Sequence, residues 1–396
     1  MPGHTLYSTP EPQKVPDATH ALHDAIFREV MLNIDPLAYL RIISHEDYSL
    51  LATAVRTILL PAEFAYAAAM RLRNLAYDLN CLKTVRLDIP VVSVGNLTLG
   101  GTGKTPLVAW LARFFRQHNV RVTIISRGYG AASASRNDEA KALENLLPDV
   151  PHLQNPDRLA AAQVAIQELA TQLIILDDAF QHRRLARDLD IVLVDALLPF
   201  GYGHVFPRGL LREPLSGIRR AQVVVLSRAD LVDQRTRDQI RERIRPLVPL
   251  ADWAEVRHAP TLLVSAVGNH LNLEGLQGIK VAAFCGIGNP EGFRRTLKQL
   301  QYHLVDFRVF PDHHAYTRQD VHTLTEWLAQ IKAQAAICTE KDLVKIGLDR
   351  LGNIPLWALR VEIKFLSGQE AIENRLGTIM EKIRLRPDPL FSAETG

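Results

Sequence analysis

The sequence predicts an α/β protein on a mostly parallel sheet, with a second, smaller α/β domain and an N-terminal amphipathic helix. Three observations carry this. From residue 89 onward, β-rich runs at 91–94, 122–126, 173–176, 191–194, 223–226 and 262–264 alternate with helical patterns. Strands that are apolar along nearly their whole length belong to parallel sheets covered on both faces. A further set at 281–285, 304–310, 336–338 and 356–359 opens a second α/β unit near Ile279. Ahead of both, Leu60, Phe64, Ala68, Leu72, Leu75 and Leu79 recur at helical spacing and make one apolar stripe.

That helix is expected to begin at Pro61, because proline is tolerated in a first turn. Arg71, Arg73 and Asn74 fall off the stripe. Two readings stay open: a helix packed on the domain by its apolar side, or one lying on a membrane with basic residues at headgroup level. Arg56, Pro61, Glu63, Arg71 and Arg73 interrupt the apolar region at 48–79, short of the ~18 uninterrupted residues of a spanning helix. The first residues, MPGHTLYSTPEPQKVPDATH, lack the basic-then-apolar pattern of a secretion signal. A protein that neither spans a membrane nor is secreted is expected.

The 396 residues are 47% hydrophobic and 22% charged, which suits sizeable cores. A formal charge of +3, without clustering, gives no footprint for nucleic acid. Three cysteines, Cys81, Cys285 and Cys338, without C-x-x-C spacing argue against a disulfide framework or a zinc site.

Chemistry enters with SVGNLTLGGTGKTPLVAW at 93–110, a glycine-rich turn between a strand and a helix. This setting gives the string a mechanism, that of a P-loop NTPase-like domain. Gly100, Gly101, Thr102 and Gly103 would turn backbone N–H groups to an anion at a helix N-terminus. Lys104 would reach the β- and γ-phosphates of a nucleotide, and Thr105 would hold Mg²⁺ through its hydroxyl. The usual pattern places glycine at position 98, where this chain has Thr98. That position only opens the loop. LIILDDAFQH, at 173–182, ends a strand on Asp177 and Asp178, the carboxylates such a metal needs. Asp177, directly after the strand, is the favoured ligand.

Other polar clusters follow strands, where α/β sheets bind ligands. SRGYG carries Arg127, and FPRGLLREP carries Arg208, Arg212 and Glu213; arginines there suit phosphate. PDHHAYT places two histidines beside an aspartate, a setting for proton chemistry. LSRAD and TEKD are loosely similar to a guanine-reading T-K-x-D element. Each alone is equally a solvated loop.

Together, VGNLTLGGTGKTP, SRGYG, DDAFQHRRLARDLDIVLVDA, PFGYGHVFPRGLLREP, GIGNPEGF, PDHHAYT and TEKD, in this order, resemble the tetraacyldisaccharide 4′-kinase (lipid A 4′-kinase) family. The resemblance runs from about residue 61 to the last strand, and Thr98 then belongs to the family's GN-x-x-x-GG-[ST]-GKT form. It implies two α/β/α domains joined by a β-strand linker, and an N-terminal helix that touches the membrane. It implies transfer of the ATP γ-phosphate to the 4′-hydroxyl of an acylated glucosamine disaccharide 1-phosphate, with Mg²⁺. The place implied is the cytoplasmic face of the Gram-negative inner membrane, with peripheral attachment, no nucleic acid and no obligate protein partner. Residue by residue, Lys104 and Thr105 match the phosphate and metal residues, and Asp177 and Asp178 the acidic pair. Gln181 and His182 complete that motif, and Arg212 and Glu213 match REP; with Arg127 these are substrate or transition-state candidates. His313 matches the histidine that supports the catalytic base. The base itself falls on Asp138, in an altered Asn137-Asp138-Glu139-Ala140 element close behind RGYG. Ala179 replaces a usual glycine. The expected plan is a flexible lead (1–35), a helical membrane-associated segment (36–88), a P-loop kinase domain (89–278), a smaller α/β domain (279–385) and a loose tail (386–396). Two alternatives remain: a P-loop GTPase, and a nucleotide-gated membrane-binding protein without kinase activity.

Overall fold

A computed structural model describes residues 36–44, 46–128, 138–312 and 314–385, with the backbone alone at 36, 37, 138, 139 and 142. The chain forms two compact units, Met1–Arg73 with Tyr202–Pro214, and Asn74–Gly201 with Leu215–Gly396.

In the first unit a short helix α1 (Pro36–Ile43) precedes a long one, α2 (Leu50–Asp78). The helix starts eleven residues before the expected Pro61, which lies inside it. An interior proline forfeits a backbone bond and costs about 3 kcal/mol. Stronger local signals offset it. Ser49 accepts the Ala52 N–H on Oγ at 3.1 Å, an N-cap. Arg56 turns inward and donates to the Ile42 and Asp47 carbonyls, both at 2.9 Å. The faces of α2 are inverted: Arg56, Tyr66, Ala67, Met70 and Arg73 are buried, whereas Leu50, Leu51, Ile58, Phe64, Leu72, Leu75 and, just beyond, Leu79 are exposed. Among the described residues most of the apolar stripe is thus left uncovered, with Leu60 half-buried. By length and composition α2 is also long and apolar enough to cross a membrane, despite the interruptions that argued otherwise.

The rest of the first unit is the loop Tyr202–Pro214, tied to α2 by polar contacts. Glu63 accepts from His204 Nδ1 at 3.0 Å and from the Val205 N–H at 3.2 Å, and pairs with Arg208 at 3.4 Å.

The second unit carries β1 (Val91–Asn96), β2 (Val122–Ser126), β3 (His152–Gln154), β4 (Leu173–Asp177), β5 (Leu189–Asp195), β6 (Val223–Ser227), β7 (Asp252–Val264), β8 (His270–Leu271), β9 (Lys280–Cys285), β10 (His303–Val309), β11 (Ala335–Thr339), β12 (Arg350–Leu351) and β13 (Ile354–Ser367). They form one sheet in the order β10-β9-β11-β13-β7-β6-β5-β1-β4-β2-β3, with β8 and β12 as short additions. Along that path every pairing is parallel except β7 with β13. Its helices are α3 (Lys104–Gln117), α4 (Asp138–Leu146), α5 (Arg158–Glu168), α6 (Gln234–Ile244), α7 (Pro290–Gln299), α8 (Arg318–Gln330), α9 (Glu340–Ile346) and α10 (Gln369–Arg384).

Side chains alternate across each strand, so one strand feeds two cores. Val92 and Val94 join Leu107, Leu111 and Phe115 of α3 on one face, with Ile372, Leu376 and Ile379 of α10. Val91 joins Ala161 and Ala162 of α5 on the other. Around β9 and β11 the same rule puts Phe284 and Cys338 on one side and Cys285 and Ile337 on the other. Between these groups β7 and β13 form a long antiparallel ribbon, with register shifts at Arg360/Val361 and Phe365/Ser367. Pro260 pairs with Val361 at the first shift, an irregularity where a missing N–H is tolerated.

Candidate nucleotide site and its neighbours

Strand β1 delivers the chain into residues 97–103 and α3 carries it away, so the glycine loop sits at a strand's C-terminal end and a helix N-terminus. The left-handed positions are Gly100 (φ 103°) and Gly103 (φ 84°), not position 98. A threonine at 98 therefore costs nothing, and Thr98 is buried. Asn96 organises the loop. Its Nδ2 donates to the Thr98 carbonyl at 2.8 Å, its Oδ1 accepts from Lys104 at 3.2 Å, and its carbonyl accepts from Gln181 Nε2 at 2.9 Å. Lys104 also stands 3.4 Å from Asp178 Oδ1.

The acidic turn is held as firmly. Asp177 ends β4 level with Val94 of β1. Asp178 takes the left-handed conformation (φ 49°), and the Ala179 N–H donates to the Val94 carbonyl at 3.3 Å. The turn's special backbone position thus falls on Asp178, which explains why alanine serves at 179. Arg158, the buried first residue of α5, donates to the carbonyls of Asp177 (3.2 Å) and Asp178 (2.9 Å). Gln181 and His182 are buried beside it, the His182 N–H donating to Ala179 at 2.9 Å. Asp178 both carries the turn's left-handed backbone and stands beside Lys104, neither of which a sequence pattern announces. Asn96 and Arg158 were missed as site residues, since neither resembles a catalytic type.

Gly95 shows how closely these segments approach. A Cβ there would lie 2.6 Å from Phe180 Cβ and 2.7 Å from its backbone nitrogen. Gly95→Ala is expected to cost about 1–3 kcal/mol by overpacking against fixed backbone. Urea denaturation checks this, and an unchanged midpoint would contradict the close approach.

Among the described residues no three His, Cys, Asp or Glu side chains form a metal cage. Mg²⁺ does not need one, because it keeps water and phosphate oxygens and takes one or two carboxylates from protein. Asp177 and Asp178 at the strand end, with Thr105 in the first turn of α3, are of the chemistry that such a donor set would need.

The remaining candidates lie on other segments of the chain. Arg127 follows β2 and is half-buried. Arg212 and Glu213 belong to the first unit, where Glu213 is fully buried and Tyr66 Oη donates to the Arg212 carbonyl at 3.0 Å. Asn137 and His313 lie outside the described residues, as does the side chain of Asp138, which opens α4. Around position 313, Asp312 Oδ2 lies 3.1 Å from where a Cβ on Gly288 would stand, and His314 Nε2 pairs with Asp320 at 3.2 Å.

TEKD is not a base reader. Asp342 is fully buried and takes Thr339 Oγ1 on Oδ2 at 2.6 Å, with the Gly286 N–H and Tyr316 Oη on Oδ1, both at 3.1 Å. One carboxylate so joins GIGNPEGF, PDHHAYT and TEKD. Burial pushes its pKa up, and the three hydrogen bonds pull it back in part.

A glycine loop between a parallel strand and a helix, overhung by a lysine that meets an acidic turn from the neighbouring strand, defines a P-loop protein built to handle nucleotide phosphates. Residues 55–381 match the family described as tetraacyldisaccharide-1-P 4′-kinase, and the chain belongs to that family. It is 40% identical over 337 residues to the tetraacyldisaccharide 4′-kinase of Anaeromyxobacter dehalogenans (strain 2CP-C), covering 80% of this chain and 89% of that one. The protein of the same description from Halothermothrix orenii is 38% identical over 337 residues, covering 76% and 87%. Among solved structures it is similar to LpxK from Aquifex aeolicus in complex with ATP, with a TM-score of 0.66 and 29% identity over 82% of this chain and 99% of that one.

Proposed function

We propose that this protein is an ATP-dependent kinase that transfers the γ-phosphate to the 4′-hydroxyl of a tetraacyldisaccharide 1-phosphate in lipid A biosynthesis. The observation that carries the reading is Lys104, held between Asn96 and Asp178 at the mouth of the glycine loop in a chain of this family. Lys104 and the loop N–H groups would bind and orient the phosphate chain, most of the acceleration coming from positioning and electrostatics. Thr105, Asp177 and Asp178 would hold Mg²⁺, which when bound neutralises phosphate charge. Asp138 is the proposed base for the sugar hydroxyl, with His313 supporting it; Arg127, Gln181, His182, Arg212 and Glu213 are proposed for substrate or transition-state contacts. The test is phosphate transfer from labelled ATP to the disaccharide 1-phosphate, with GTP as competitor. Hydrolysis of GTP without an acceptor would overturn the kinase reading in favour of a GTPase.

We further propose that the protein works from a membrane surface, at the cytoplasmic face of the inner membrane. The inverted α2 supports this, with Leu72 and Leu79 at 66% and 64% exposure while Arg56 and Arg73 are buried. Each leucine withdrawn from water is worth about 1.5–3 kcal/mol. Leu72→Glu with Leu79→Glu is expected to lower partition onto lipid vesicles at least about tenfold, with the fold unchanged by circular dichroism. Equal sedimentation of variant and wild type would remove this face from the membrane.

A further inference from the structure

The glycine loop is gripped from the side of β6 and β7 by Ser227, Arg228 and His258, none of them among the residues proposed above for catalysis. Ser227, the last residue of β6, donates Oγ to the Thr102 carbonyl at 2.8 Å, with the Val194 carbonyl at 3.4 Å. Arg228 follows it in a left-handed conformation (φ 54°) that an arginine adopts only under constraint. Its guanidinium donates through Nη2 to the Gly101 carbonyl and through Nη1 to Asp195 Oδ2 at 2.8 Å. Arg228 and Asp195 side chains are 13% and 11% exposed. From β7, the His258 ring closes the floor under Gly103, where a Cβ would stand 2.3 Å from Cε1 and Nε2. His258 Nε2 is buried and has no protein hydrogen-bond partner.

Peptide geometry turns these contacts into a statement about the loop. In a trans peptide the carbonyl of one residue and the N–H of the next point in opposite directions. Drawing the Gly101 and Thr102 carbonyls towards Arg228 and Ser227 aims the N–H groups of Thr102 and Gly103 the other way. Those are the donors a phosphate chain needs, and their value lies in being set before the anion arrives. Arg228 also brings a positive charge to the back of the loop, and Asp195 holds it in place.

We propose that Arg228, seated by Asp195 and joined by Ser227, is the positioning device of the phosphate loop and sets the affinity for the nucleotide's phosphates rather than the rate of transfer. This rests on the ATP reading above. A lysine in place of the arginine could reach one of the two oxygens but not both, since only the guanidinium fork spans a carbonyl and a carboxylate together.

The experiment uses the full-length protein and titration with MgATP, followed by steady-state kinetics. Arg228→Met is expected to raise the Kd and KM for ATP at least tenfold, with kcat at saturating ATP within threefold and the KM for lipid unchanged. Arg228→Lys should recover part of the affinity, and Asp195→Asn, which leaves the arginine unseated, should lose severalfold. If Arg228→Met does not fold, Arg228→Lys and Asp195→Asn carry the test by the same split. An unchanged Kd for ATP in the variants that fold, or a fall in kcat with KM intact, would overturn the proposal. Wild-type protein that fails to bind MgATP would overturn the kinase reading and this device with it.

Discussion

Lys104→Ala is expected to lower kcat/KM for phosphate transfer by about 10³-fold while leaving the protein folded. The side chain is 12% exposed and lies against Asn96 and Asp178. Its ammonium, 3.2 Å from Asn96 Oδ1, would stand where charge grows on the phosphate oxygens. The structural loss is small. Asp178 is 35% exposed, so water can replace the lost partner, and part-exposed pairs are worth about 0–1 kcal/mol. Single-turnover transfer at saturating ATP, alongside urea denaturation, separates the two effects. A loss below tenfold would place the phosphate contact on another residue.

Asp342→Ala should destabilise the second unit by about 3 kcal/mol or more. It strands Thr339, Tyr316 and the Gly286 N–H at once, and each buried group left without a partner costs about 1–3 kcal/mol. A carboxamide cannot accept on both ends, so Asp342→Asn should cost less than alanine but more than nothing. The pH dependence has a definite sign. Burial holds the folded-state pKa above the ordinary 3.8. The folded chain therefore keeps a proton that the unfolded chain gives up, and the aspartate's contribution is largest below 3.8 and declines as pH rises through the folded value. The stability gap between wild type and Asp342→Asn should narrow over that rise. A gap that widens would mean the carboxylate is stabilised as an anion.

Legibility in the sequence followed how local each signal was. Strand, glycine loop and helix at 91–117 could be read because propensity, periodicity and turn chemistry agree within one short stretch. The acidic turn could be read as a place, but no pattern announces that Asp178 takes the left-handed position beside Lys104. Pro61 outweighed the quieter Ser49 cap, so the start of α2 was misplaced. Most of β7 and β13 was unreadable. WAEVRHAP does not alternate cleanly and ends on proline, VEIKF alternates over only five residues, and each finds its partner about a hundred residues away. The same distance hid the loop's supports: LSRAD stands out in the sequence only for a loose likeness to a base reader, whereas its Arg228 reaches Gly101, 127 residues away.

The antiparallel pairing of β7 with β13 has a directional consequence. β7 starts alongside β6, parallel to it, and runs on beyond it. β13 starts alongside β11, parallel to it, and runs back. The two groups of strands therefore have opposite polarity, and their C-terminal ends point towards each other along the ribbon. The glycine loop and acidic turn issue from one set of ends; the loops around Asp342 issue from the other. The ribbon is then a ruler between two faces of polar loops. Removing two residues from each of its strands would shorten it by about 6.6 Å, keep every side chain on its own side of the sheet, and change only the spacing.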